Sequence, residues 1–243
     1  MEIIGHRGAS ETAPENTLSS ISEAWSQAAD GVEVDIRLTK DKIFVCMHDT
    51  NTLRTSGENA LVSETNFEKL KKLDVGSWRG KEWTNETIPS LVQVMDLMPE
   101  SKKLFIEVKG GKEVSIPLVE VLERYEHLFT RIVVISFDES LLKEIKQKIP
   151  KIKVNLLCAF DQNPDIKSEE LIIKLRELNL DGVGLQSHMQ LTKNFIAPII
   201  ERDKEVHVWT VDQPEQARLY KEMGFSSITT NKPGQIKNFL LSV

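Results

Sequence analysis

The stretch "RIVVISFDESLLKEIKQKIPKIKVNLLCAF" (residues 131–160) decides the fold. It opens on a β-branched run ending at Phe137 and passes through Asp138, a helix-capping residue type. A segment with apolar residues at three- and four-residue steps follows, and Lys153 begins a second β-rich run. A strand, a helix and another strand in so short a span make one crossover unit of a parallel sheet.

The unit repeats along the chain. Strand-like runs fall at 2–7, 31–39, 103–109, 131–137, 153–160, 182–186, 205–211 and 226–231, each short and bounded by turn residues. Helical patterns lie between them, with Asn16, Asp138, Ser168 and Thr192 as expected caps and Pro214 at a first helical position. Eight repeats predict a parallel sheet closed into an α/β TIM (β/α)8 barrel. The competing architecture is an open doubly wound sheet. No GxGxxG follows the first strand, which disfavours its dinucleotide-binding form.

A length of 243 residues is ordinary for one barrel, so residues 1–243 read as a single domain. One segment breaks the rhythm. Lys40-Asp41-Lys42 turns the chain into a further extended piece, "IFVCMHD" (43–49), and a polar insertion follows at about 50–87, after the second strand. It holds one short helical pattern, with Thr65 and Glu68 spaced as a capping box, and Trp78 and Trp83 are expected to pack it onto the barrel.

Composition narrows the partners. The net charge is -6 and the pI about 5.5, an acidic balance that argues against nonspecific nucleic-acid binding. Cys46 and Cys158 sit in apolar runs without metal-ligand spacing and read as buried free thiols. No stretch approaches the ~18 apolar residues of a membrane span, and no basic-then-apolar leader opens the chain. The expectation is a cytoplasmic protein without stable membrane insertion; the sequence does not fix its oligomeric state.

Barrel enzymes collect their chemistry at the carboxyl ends of the strands. Glu33-Val34-Asp35 is the most informative triplet, because residues i and i+2 of a strand share a face. Glu107-Val108-Lys109 repeats the device on the next strand. Buried carboxylates are costly and repel one another. A divalent cation held by Glu33, Asp35 and Glu107 resolves both problems, and an all-oxygen donor set suits Mg2+ or Ca2+. The structural alternative is an ion-pair network with Arg7, Arg37 and Lys109.

His6 and His48, two of five histidines, lie where apolar strands give way to loops. Alone, each reads as a structural histidine. Together they form an acid–base pair, with Arg7 and Lys109 suited to a phosphate. Two imidazoles, two cations and a metal make a phosphodiester-cleaving set. Trp209 at the mouth and Gln186 after its strand are further substrate contacts, with His188 beside Gln186. His207, two residues before Trp209 and deeper, reads as structural. Residues 230–234 either offer backbone N–H groups to an anion or simply turn into the last helix.

Taken in order, these residues resemble the glycerophosphodiester phosphodiesterase family. The matching segments are "GHRG" with "PENT" (5–8, 14–17), "EVDIRLTKD" (33–41), "MHD" (47–49), "FIEVK" (105–109), "SF" (136–137), "VWTVD" (208–212) and "ITTNKP" (228–233). The resemblance implies a barrel with a small insertion after strand 2 and Mg2+ or Ca2+ on Glu33, Asp35 and Glu107. It implies His6 and His48 as the acid–base pair, with Arg7 and Lys109 at the phosphate. The implied substrate is a small glycerophosphodiester, cleaved to glycerol 3-phosphate and an alcohol, and the substrate's own glycerol hydroxyl can serve as the first nucleophile. A lysophospholipase D-like enzyme and a non-catalytic phosphate- or metabolite-binding barrel are the alternatives. Two positions depart from the family pattern: Asp212 stands where Asn is frequent and Asn231 where Asp is commoner. Both are expected to lie on the rim and leave the histidines untouched. Gly5 and Gly8 are expected to let a phosphate approach the backbone. The "PENT" segment turns the chain into the first helix, with Glu15 its one residue near the site.

Overall fold

A computed structural model describes residues 1–242. Eight strands run parallel: β1 (Glu2–His6), β2 (Gly31–Leu38), β4 (Lys103–Val108), β5 (Ile132–Ser136), β6 (Lys153–Cys158), β7 (Gly182–Gln186), β8 (Glu205–Trp209) and β9 (Ser227–Thr230). β1 pairs with both β2 and β9, so the sheet closes on itself into a barrel. The short β3 (Phe44–Cys46) returns antiparallel along β2, in the "IFVCMHD" piece.

The alternation within each strand explains the sequence pattern. Ile3, Val32, Val34, Ile36, Leu104, Ile106 and Val134 point outward and are buried under the ring of helices. Ile4, Phe105, Val133, Ile135 and Leu157 point inward and fill the barrel's middle, with Trp209 packed on them. A charged floor closes the far end, where Lys103 Nζ meets Glu2 Oε1 at 2.7 Å and Lys153 pairs with Glu205. The acids of β2 and β4 belong to the inward set at the opposite mouth.

Helix starts follow capping chemistry, with three shifts from expectation. Asp138 accepts from Leu141 N and Thr192 from Phe195 N, as their positions predict. The first helix, Leu18–Ser26, is capped by Thr17 instead of Asn16. Asn16 adopts the left-handed conformation (φ 59°) and turns its amide elsewhere. Ser168 is already the first helical residue, after Lys167. Thr65 makes no capping box, because the helix Phe67–Leu70 begins after Asn66 and the Thr65 hydroxyl donates to Leu61 O. The capping box sits instead at Ser90 and Gln93, opening the helix Leu91–Leu97.

The segment between β3 and β4 has its own small core. Met47, Val62, Leu70, Leu73, Val75 and Ile88 pack on Val45 of β3. The two tryptophans do not do this work: Trp78 is exposed, its Nε1 donating to Val75 O, and Trp83 is half-buried. No helix among the described residues is long and apolar enough to cross a membrane.

Candidate active site

Strand register builds the site. In the β1–β2 pairing His6 lies opposite Glu33, and in the β2–β4 pairing Asp35 lies opposite Glu107. One carboxylate oxygen from each of Glu33, Asp35 and Glu107 falls within 4.8 Å of the others. Glu33 and Asp35 are buried, and Glu107 is half-buried.

Two cations meet this cluster. Arg7 Nε lies 2.9 Å from Asp35 Oδ2, and Lys109 Nζ lies 3.1 Å from Asp35 Oδ1 and pairs with Glu107. The Arg7 backbone N–H donates to Glu33 Oε2 at 3.0 Å, an orientation that comes with a left-handed Arg7 (φ 55°). Asn16 grips Asp35 from behind. Its Nδ2 donates to Oδ2 at 2.9 Å, and its Oδ1 accepts the Asp35 N–H at 3.1 Å.

The electrostatics follow from burial and these neighbours. Burial, then the charges of Asp35 and Glu107, push Glu33 well above the usual carboxylate range. Burial and Asp35 likewise raise Glu107. Burial works in the same direction on Asp35, but Arg7 and Lys109 overcome it and hold the group at about 2. Burial, then Arg7, lowers His6 to about 4, so its ring is neutral at pH 7.

The ion-pair network is real but incomplete as an explanation. Three acids face two cations, and Arg37 does not join them; it donates through Nε and Nη2 to the His48 backbone O at 2.9 and 2.7 Å. Glu33 Oε1 is buried without a hydrogen-bond partner, and Asp35 Oδ1 meets only the Lys109 ammonium. With oxygen donors alone, one buried oxygen unpaired and three acids against two cations, the cluster fits a hard divalent cation.

The imidazoles are held separately. His48 Nδ1 lies 2.8 Å from Asp49 Oδ1, and Arg54 Nε donates to Asp49 Oδ2 at 2.7 Å. Arg54 also grips Glu15 through both terminal nitrogens, and Glu15 in turn accepts from Arg7 Nη1 at 2.8 Å. Glu15 is thus a firm member of the network. Its hydrogen bonds to Arg54 and the Arg7 charge outweigh burial and lower its pKa. His6 lines a small cavity with Glu33, Glu107, Trp209 and His207.

Several expectations change. Asn231 and Asp212 are not rim details: Asn231 Oδ1 lies 2.7 Å from His6 Nδ1, and Asn231 Nδ2 donates to Asp212 Oδ2 at 2.6 Å. Gly5 and Gly8 make room for protein. A Cβ on Gly8 would come 2.4 Å from the Ser20 backbone, and one on Gly5 would come 2.7 Å from Gly8 O. Gln186 turns its amide to Asp161 on the rim, accepting from Asp161 N at 3.1 Å. His188 stacks on Phe160. His207 is structural as expected, each ring nitrogen 2.7 Å from a hydroxyl, of Ser227 or Thr229. Asn16, Arg54 and the Asn231–Asp212 pair are the members that sequence reasoning missed or misassigned. Arg54 carried no signal; Asn16 and Glu15 lay inside the segment that joins Arg7 to the first helix, and Asn231 and Asp212 stood out as departures from the family pattern.

A (β/α)8 barrel with acids, cations and two imidazoles at one mouth has the parts of a phosphodiester hydrolase. Residues 6–235 match the model of the glycerophosphoryl diester phosphodiesterase family, and the chain belongs to that family. A glycerophosphodiester phosphodiesterase of Caldanaerobacter subterraneus subsp. tengcongensis is 28% identical over 249 residues, covering 98% of this chain and 97% of its own. A Bacillus subtilis relative, YhdW, is 31% identical over 236 residues, covering 96% of this chain and 95% of its own. The solved structure of an Oleispira antarctica phosphodiesterase in complex with the product sn-glycerol-3-phosphate superimposes with a TM-score of 0.86 at 26% identity, covering 99% of this chain and 96% of that one.

Proposed function

We propose that this enzyme hydrolyses small glycerophosphodiesters, such as glycerophosphocholine or glycerophosphoethanolamine, to sn-glycerol 3-phosphate and an alcohol. The carrying observation is the cluster of Glu33, Asp35 and Glu107, with Glu33 Oε1 buried and unpaired, set against Arg7 and Lys109 and beside His6. The three acids would hold Mg2+ or Ca2+, which when bound supplies charge neutralisation and Lewis acidity at a phosphate oxygen. Arg7 and Lys109 bind the remaining phosphate oxygens. Neutral His6 takes the proton of the attacking oxygen as that oxygen bonds to phosphorus. The bond from phosphorus to the alcohol oxygen breaks, and His48, oriented by Asp49, protonates that oxygen. If water attacks, sn-glycerol 3-phosphate forms in this one displacement; if the glycerol hydroxyl attacks, a cyclic phosphate forms and a water then opens it, losing its proton to the deprotonated His48 while protonated His6 returns a proton to the glycerol oxygen. Trp209, with Phe137 edge-on at 5.8 Å, offers an apolar wall to the alcohol.

The test is release of sn-glycerol 3-phosphate from glycerophosphocholine with Mg2+, Ca2+ or EDTA. EDTA, Glu33→Ala, His6→Ala and His48→Ala are each expected to lower kcat ~100-fold or more. Release indifferent to all four would sink the mechanism. Cleavage of lysolipid with no headgroup diester turned over would move the substrate class to the lysophospholipase D alternative.

A further inference from the structure

The Asn231 amide has only one chemically consistent orientation. Asp212 acts as an acceptor: its Oδ1 receives the Thr230 hydroxyl at 2.9 Å and the Asn231 backbone N–H at 2.8 Å. The Thr230 oxygen itself accepts the Lys232 N–H, so its own proton is free to go to Asp212. The other carboxylate oxygen, Oδ2, therefore faces a donor, and the group 2.6 Å away is the Asn231 side chain. A carboxylate cannot donate to an amide oxygen, so Nδ2 is on the Asp212 side. Oδ1 is then on the opposite side, where His6 Nδ1 and Ser10 Oγ each approach to 2.7 Å. An amide oxygen has no proton to give, so His6 Nδ1 must carry one.

We infer that Asn231, fixed by Asp212, is a positioning residue that holds a proton on His6 Nδ1 and leaves Nε2 as the proton-accepting atom. This rests on the proposed role of His6 in hydrolysis. The lock is built from the first and last strands of the barrel: β1 ends at His6, and Asn231 follows β9 directly. Ser10 stiffens it by giving the same amide oxygen a second donor. The device is directional. It needs a donor facing Asp212 and an acceptor facing His6, and an amide supplies both. It also explains how Asn and Asp can exchange places: a carboxylate at 231 still accepts from His6, provided that 212 becomes the amide that donates to it.

The experiment uses the whole protein, with histidines labelled by 15N, read first without metal and without substrate. The His6 signals are assigned by their loss in His6→Gln. Two-bond 15N–1H correlations at neutral pH are expected to show Nδ1–H for His6. Asn231→Leu, close in shape but without an acceptor, is expected to shift the ring toward Nε2–H. Its kcat should fall ~100-fold or more while KM changes less than ~3-fold, as for other wrong-tautomer histidines. The double exchange Asp212→Asn with Asn231→Asp should restore the Nδ1–H pattern and return kcat to within ~10-fold of the parent. Asn231→Asp alone places two carboxylates together and should not be rescued. An Nε2–H signal in the parent, or an unchanged tautomer and kcat in Asn231→Leu, would overturn the inference. The spectra stand apart from turnover: a parent that shows the Nδ1–H pattern but cleaves no diester refutes the proposed hydrolysis and leaves the lock intact.

Discussion

Arg54 shows how much an exposed residue can organise. Its side chain is 44% exposed, yet it joins Asp49, the partner of His48, to Glu15, the partner of Arg7. Exposed ion pairs contribute only ~0–1 kcal/mol to stability, so Arg54→Ala should leave the melting temperature within a few degrees of the parent. Turnover should respond more, with kcat falling ~10-fold as Asp49 is released from its clamp. A lost melting transition, or an unchanged kcat, would contradict the assignment. The Glu33-x-Asp35 and Glu107-x-Lys109 pairs were legible because strand geometry puts i and i+2 on one face. His6 and His48 were legible as scarce residues at strand ends. Asn16 was misread because an asparagine just before a helix looks like a cap, and here the next residue, Thr17, takes that task. Arg54 was missed and Asn231 was placed on the rim because the contacts that define their tasks, to Glu15 and His6, span 39 and 225 residues.

Among elements, strands were the clearest. Their inward and outward faces differ in chemistry, and each strand is short and bounded by turns. The stretch at about 50–87 was not, since its helices are single turns and its apolar residues pack in a separate small core. The turn after β1 corrects the reading of its glycines. Gly8 has φ 87°, and a methyl there would press on the Ser20 backbone inside the first helix. Gly8→Ala should therefore cost more than ~1 kcal/mol of stability, read as a lower urea midpoint. If the role were space for phosphate, KM would rise and the midpoint would hold.

For the molecule as a whole, buried neutral histidine sets a limit in acid. Burial lowers His207 to about 3 from its ordinary value of 6.5. The unfolded chain therefore takes up a proton below ~pH 6.5 that the folded protein refuses until about pH 3. This stability is fully present above that window and is lost as pH falls through it. Glu33 and Glu107, both raised, act in the opposite sense, because the folded state protonates them first. A comparison of the parent with His207→Gln isolates the histidine. Unfolding free energies measured in urea at pH 7, 6 and 5 should fall more steeply in the parent, by at most ~1.4 kcal/mol per pH unit. Parallel lines would show that His207 has no part in the acid response.

Barrel closure through β1 and β9 has a temporal meaning as well. The acids, cations and imidazoles of the proposed site all lie between residues 6 and 109. The strand that seats His6 spans Ser227–Thr230, and Asn231 follows it. Translation therefore supplies every residue of the charged cluster well before Asn231, the amide that faces His6. If His6 has the role proposed for it, competence arrives only when the final strand closes the barrel and brings Asn231 to the imidazole.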